Sequence, residues 1–247
     1  MWRSVAGAAF VAMAASGAAR AELDDPGFEL TDVSAWMLRA GELQLSPAAI
    51  RVGLFDAVEL GSSYPLDLLG AVNADVAVLL HASPYVAFSA RAGFLHFDPA
   101  FVGVDSDFEL TAFPLALDVS VRPTESIRVH GAIQFLSARP DTQAPDSALR
   151  IQRYLGPVGR LALTLSGEYR FGAHFAALVG IDLPLMAHRR TFLYQGEDAG
   201  FGAHVRATAA LHLVFGALNV RVGLGYGPSF LGEAGIFPVL DLALRIF

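Results

Sequence analysis

The residues able to do chemistry recur at intervals of two. Within Leu161–Phe171, Ala173–Leu183, Ala203–Phe215 and Leu218–Tyr226, nine such residues fall in a single phase: Glu168, Arg170, His174, Asp182, His204, Arg206, His212, Asn219 and Arg221. The alternate positions are Leu, Val, Ile, Phe, Tyr, Ala and Gly, as in Leu161, Leu163, Leu165, Gly167, Tyr169 and Phe171. Period two is the repeat of a β-strand, whose successive side chains point to opposite faces. Charges confined to one face, opposite a face that carries none, are placed to line a polar interior, and the chemistry they offer is ion pairing and weak electrostatic selection of solutes.

The first half repeats the pattern. Arg51 opposes Ile50, Val52 and Leu54, while Asn73, Asp75 and His81 oppose Val72, Ala74, Val76, Val78 and Leu80. Ser89 and Arg91 oppose Val86, Phe88, Ala90, Ala92 and Phe94; Asp118 and Ser120 oppose Phe113 to Val121; Arg128, His130 and Gln134 oppose Ile127, Val129, Ile133 and Phe135. With Glu59, Asp241 and Arg245, the expected lumen-lining Arg are 51, 91, 128, 170, 206, 221 and 245, and the acids are 59, 75, 118, 168, 182 and 241. Seven against six is nearly balanced, so selectivity is expected to be weak. His130, His204 and His212 complete the set.

Catalytic chemistry finds little support. Ser89 and Ser166 share the inward phase, but turn arithmetic places no His beside either. That arithmetic uses the constant residue-number sum of antiparallel partners. Pairing Leu80 with Val86 sets Asp75 opposite Arg91, and pairing Val121 with Ile127 sets Asp118 opposite His130. The seven His show no H-E-x-x-H spacing and there is no Cys, so the expectation is no zinc site, no cofactor and no enzymatic activity.

Composition narrows the class further. The chain has 247 residues, 54% hydrophobic and 17% charged, with mean hydropathy +0.47, which excludes disorder. All 17 basic residues are Arg, against 24 acidic ones, for a net charge of −7; a general nucleic-acid binder needs the opposite sign. Beyond residue 22 no run approaches the roughly 20 apolar residues of a membrane helix. A β-barrel is the other structure that satisfies its backbone in lipid. A soluble sandwich also alternates, but its solvent face would carry more charge than the Gly, Ala, Ser and Thr found here.

At the N-terminus, Met1-Trp2-Arg3, the apolar stretch Val5–Ala18 and Ala19-Arg20-Ala21 read as a signal peptide over 1–21, cleaved after Ala21. An acidic periplasmic tail over 22–32 is then expected, with a barrel over 33–247. Connections alternate between short ones (near Asp56, Ala82–Pro84, Arg122–Glu125, Gly172–Ala173, Gly216–Ala217) and longer ones (65–71, 96–106, 138–159, 185–202, 228–235). That is the pattern of periplasmic turns and outer loops. Adding a first hairpin across Ala40-Gly41-Glu42 gives twelve strands, with ten and fourteen the neighbouring even counts. Phe55, Phe171 and Phe215 before short turns, with Tyr64, Phe94, Phe135 and Tyr226 at the other rim, resemble aromatic girdles.

Signal peptide, meandering amphipathic strands and terminal Phe247 together resemble a Gram-negative outer-membrane β-barrel protein, and the stretch from Gly41 through Asn73 resembles transporter barrels of unknown substrate. The class resemblance implies recognition by the barrel-assembly machinery through the C-terminal strand, although Asp241 and Arg245 depart from the usual pattern by sharing the phase of Phe247. Outer-membrane lipid and lipopolysaccharide are the expected surroundings, with Arg189-Arg190 and the acidic loop residues as candidate contacts. The function expected is a passive channel for small solutes; the alternatives are a closed structural or adhesive barrel and, behind it, an outer-membrane hydrolase.

Overall fold

Alternation of apolar and polar side chains leads directly to the architecture. The computed structural model describes residues 34–47, 49–63, 71–98, 108–142, 160–187, 205–228 and 234–246. They form twelve antiparallel strands: β1 (Leu43–Leu45), β2 (Ile50–Leu54), β3 (Val58–Ser62), β4 (Ala71–Ala82), β5 (Val86–Phe97), β6 (Phe108–Val121), β7 (Ile127–Thr142), β8 (Arg160–Gly172), β9 (Phe175–Ala187), β10 (Arg206–Phe215), β11 (Leu218–Pro228) and β12 (Ala234–Ile246). Each strand pairs with its sequence neighbours, and β1 pairs with β12, so the sheet closes into an up-and-down barrel. Both ends of the barrel wall, Leu43 and Ile246, are partners at the short-turn end.

The phase holds around the wall. Outward positions such as Phe113, Leu117, Ile133, Val179, Leu211, Val222 and Leu224 stay exposed, as a lipid-facing belt requires. Phe55, Phe171 and Phe215 are exposed at the short turns, and Phe94, Phe135 and Tyr226 are exposed on the outer half; Tyr64 lies outside the described residues. The girdle at the short turns is larger than expected, because Tyr169, Phe171 and Phe175 stack in series with centroid spacings of 6.4 and 6.0 Å.

Register departs from the turn arithmetic in two places. A bulge between Leu79 and His81 resets β4, so Asp75 partners Gly93 and Arg91 partners Ala77. The bulge also turns His81 outward, where it is exposed with its ring 6.2 Å from that of Phe88. Beyond β6 the turn takes two more residues than the arithmetic allowed, Val121 partnering Val129, so Asp118 faces Ala132 and His130 faces Ser120. Thr124 fixes this longer turn by accepting a 3.0 Å hydrogen bond from Ile127 N.

The first hairpin also moves. Its turn is Ser46–Ala49, not Ala40–Glu42, because Pro47 lacks the N–H and the dihedral freedom that a strand interior needs. Ser46 closes the turn through its amide to Ala49 O at 2.9 Å and its hydroxyl, which accepts from Ala49 N at 3.0 Å. Residues 34–42 are therefore not wall. They run inside the barrel, with Ser34, Ala35, Met37, Leu38 and Glu42 buried.

The phase assignment gives a first prediction. Ile133 is half exposed on the lipid side, whereas its neighbour Gln134 is exposed into the lumen. Ile133→Arg should cost about 2–4 kcal/mol and abolish the heat-modifiable folded band, while Gln134→Arg should keep it.

Candidate functional site, a two-level lumen

Strand geometry brings the inward residues together at two levels. Nearest the short turns, the first inward positions of most strands are buried: Ala87 and Ser89, Ser120 and Asp118, Arg128 and His130, Arg170 and Glu168, Ala176 and Leu178, Val214 and His212, Asn219, and Arg245. Further out the same faces open. Asp75, Arg91, Asp182, Arg206, Arg221 and Asp241 are half-buried, and Pro114 and Gln134 are exposed. A cavity of about 280 Å³ occupies this outer level, lined among others by Asp75, Arg91, Gly93, Pro114, Asp118 and Gln134.

An eight-stranded barrel is filled by its own side chains, whereas twelve strands enclose more space than wall residues fill. Residues 34–42 supply the missing volume at the short-turn level. The segment crosses from β6 and β7 to β2 and β3. Ala35 N donates to Ser120 Oγ at 2.8 Å, and Ser120 Oγ also bonds His130 Nδ1 at 2.8 Å. Trp36 lies under the Arg128 guanidinium, 5.7 Å from centroid to Cζ, and meets the His130 ring edge-on. Leu38 N donates to Glu59 Oε2 at 3.4 Å, and Ala40 N to Asp56 Oδ1 at 2.6 Å.

One wall position is shaped for this crossing. A Cβ added at Gly53 would lie 2.6 Å from the Leu38 carbonyl oxygen and closer still to that of Arg39. Gly is the residue that lets two backbones approach so closely. Gly41, at φ +81°, then turns the chain out of the lumen into β1. The adjoining β2–β3 turn holds Phe55 and Asp56 at φ 57° and 56°, a left-handed conformation costly for a bulky residue.

Charges in the buried level are neutralised in place. Arg170 Nε pairs with Glu168 Oε1, and Arg245 Nε pairs with Glu42 Oε1, both side chains being nearly inaccessible. Glu42 Oε2 also accepts from Arg39 N at 2.9 Å, so one carboxylate joins the inserted segment to the last strand. Arg51 and Glu59 pair at 3.2 Å. Above them Arg221 and Asp241 pair at 2.5 Å, Asp182 accepts from Thr164 and partners Arg206 across the ladder, and Asp118 accepts from Ser89 at 3.3 Å.

Of the expected lining residues, Asp75, Arg91 and Asp118 are brought together at the cavity. Glu59, Arg128, His130, Glu168, Arg170, His212 and Arg245 face inward within the packed level, and His204 lies outside the described residues. His130 faces Ser166 across β7 and β8, a juxtaposition that the arithmetic missed. It lies in the packed level, where His130 is fully buried. Trp36, Glu42 and Gly53 were also missed; their only local signal is the break in alternation before Pro47. No group of His, Cys, Asp and Glu suited to a metal occurs among the described residues.

No protein-family model matches the chain, and no curated protein matches it in sequence. Among solved structures it is similar to the KdgM porin in complex with disordered oligogalacturonate, at 8% identity and TM-score 0.44, covering 83% of this chain and 96% of that one. It is also similar to the NanC porin, at 9% identity and TM-score 0.43 over 84% and 97%. A mutant of Rh. blastica porin aligns at 12% identity and TM-score 0.36 over 80% and 53%.

Removing one partner of a buried ion pair strands the other charge, at a cost of about 3–5 kcal/mol. Glu42→Ala should therefore lower the urea midpoint of folded protein, read from Trp fluorescence, and adding Arg245→Met should restore most of the loss.

Proposed function

We propose that the chain is a passive outer-membrane channel for small solutes whose periplasmic mouth is held shut by residues 34–42. The observation that carries this reading is the pairing of a vestibule open on the outer side with a lower level completed by an inserted segment rather than by the wall. The segment is held by hydrogen bonds, a cation–π contact and the Glu42–Arg245 pair rather than by a strand ladder. Its departure would free the space that twelve strands enclose beyond what their side chains fill.

In this reading the mixed charges at the cavity, Asp75 and Asp118 against Arg91, give weak selectivity. Residues 1–21 export the chain and are cleaved after Ala21, and 22–32 form a periplasmic tail that draws on the inserted segment. The strand ending in Phe247 engages the assembly machinery, and the outer loops contact lipopolysaccharide. The chain has no catalytic role: Ser166 and His130 share a rung but lie in the closed level, away from the vestibule that a substrate would enter.

A closed structural barrel is the second reading, favoured by the buried Arg128, Glu168 and Arg170. Planar-bilayer recording separates the two. Gly53→Leu, which leaves no room for the inserted backbone, should raise the time spent open at least about 10-fold over the unaltered chain, provided both show the folded band. Silence from both folded proteins would support the structural reading and defeat the channel.

A further inference from the structure

Charge is shared unevenly around the lumen. Elsewhere the inward carboxylates each have a guanidinium: Glu59 has Arg51, Glu168 has Arg170, Asp241 has Arg221, Glu42 has Arg245, and Asp182 has Arg206 across the ladder. The vestibule is different. There two acids, Asp75 and Asp118, line the cavity with one cation, Arg91, while Arg128 is fully buried in the floor over Trp36.

Strand register fixes how the three charges are arranged. Arg91 shares a rung with Ala77 of β4 and Ala116 of β6. Asp75 is the next inward position of β4 away from the short turns, and Asp118 is the next inward position of β6 toward them, so the charges run diagonally with Arg91 in the middle. Each diagonal step spans about 7–8 Å, which sets the carboxylates on opposite sides of the guanidinium. No ion pair joins Arg91 to either acid among the described residues. Asp75 Oδ1 and Arg91 Nε are buried atoms with no hydrogen-bond partner among those residues, and Asp118 Oδ2 accepts from a neutral donor, the Ser89 hydroxyl, at 3.3 Å. Polar groups short of partners are costly when buried. A ligand that brings the complementary groups removes that cost.

The surface between the charges is apolar. Gly93, on the Asp75 rung, lies against Pro114, whose Cγ would be 2.8 Å from an added Cβ, and Ala116 continues the strip along β6 to Asp118. These side chains offer no hydrogen bonds, so the strip suits methylene groups. Its upper end is held in place by Gly61, where an added Cβ would lie 2.5 Å from Asp75 Oδ2. Its lower end is Asp118, only 4% exposed.

We infer that the vestibule binds a dibasic amino acid, a molecule of lysine type whose two ammonium groups meet Asp75 and Asp118, whose carboxylate meets Arg91 and whose aliphatic stem lies on the strip from Gly93 to Ala116. The inference rests on the vestibule being the entrance of a solute channel and names what enters it. Near-balance of the whole lumen gives weak preference between simple ions, whereas a fixed pattern of three charges discriminates between molecules. A diamine leaves Arg91 unanswered, a neutral amino acid leaves one carboxylate unanswered, and a dicarboxylate is repelled by both acids. The cavity of about 280 Å³ is close to the lower end of small-molecule pockets, which fits one small solute.

Equilibrium dialysis of the folded, detergent-purified chain against radiolabelled L-lysine tests the site, with the heat-modifiable band reporting that each variant is folded. Binding should saturate, and both cadaverine and L-glutamate should displace the label at least about 10-fold less effectively than unlabelled lysine, because each loses a charge-assisted hydrogen bond. Asp75→Asn should raise the half-saturating lysine concentration about 10-fold. Arg91→Gln should do the same and abolish the advantage of lysine over cadaverine, a change of preference that a merely structural role would not produce. Absence of saturable binding, displacement by glutamate as effective as by lysine, or binding indifferent to both substitutions would overturn the inference. Dialysis reads binding with the floor shut. A barrel that binds lysine but stays silent in a planar bilayer would keep the site and defeat the channel, and one that conducts without binding lysine would do the reverse.

Discussion

Lipid offers no hydrogen bonds, and this constraint organises the molecule. Backbone amides and carbonyls within the bilayer must find partners in neighbouring strands, and charged side chains must find theirs away from the acyl chains. The twelve-strand ladder answers the first demand and the two-phase sequence answers the second. Arg128, Arg170 and Arg245 are buried with their partners on the inside, while Leu117, Val179 and Leu224 face outward.

Strand number then sets what the interior has to do. A twelve-stranded cylinder exceeds what Arg, His and Glu side chains fill, so the short-turn half recruits residues 34–42 and the other half keeps its cavity. The inserted segment is tied to distant parts of the wall: Ala35 to β6, Trp36 to β7, Leu38 to β3 and Glu42 to β12. Gly53 provides the clearance. The outcome is a lumen with a polar vestibule above and an ion-paired floor below, and the functional proposal rests on that asymmetry.

Much of this was legible in the sequence, and the reasons for the rest are physical. Fold class and strand number followed from period two and from alternating connection lengths, both local properties. Inward orientation was read for Asp75, Arg91, Asp118, Arg128, Glu168, Arg170 and Arg221. Their partners were not, because register depends on one-residue events such as the Leu80 bulge and on turns whose length Thr124 helps to set. His81 was misplaced for the same reason. The inserted segment was hidden more deeply. Its contacts span separations of 85 residues, Ala35 to Ser120, and 203, Glu42 to Arg245, and a pattern search over a few residues takes Ala40–Glu42 for a hairpin. Only Pro47 hinted that the wall began later.

Along β7 one inward face passes from open vestibule to closed floor. A single-cysteine scan from Ile127 to Leu136 of β7, reacted with a membrane-impermeant thiol reagent added to intact cells, tests it most directly. Rapid reaction is expected at 134, none at 128, 130 and 132, and none at the lipid-facing odd positions. Uniform reaction of all even positions would show an unobstructed lumen, and reaction without alternation would contradict the barrel phase itself.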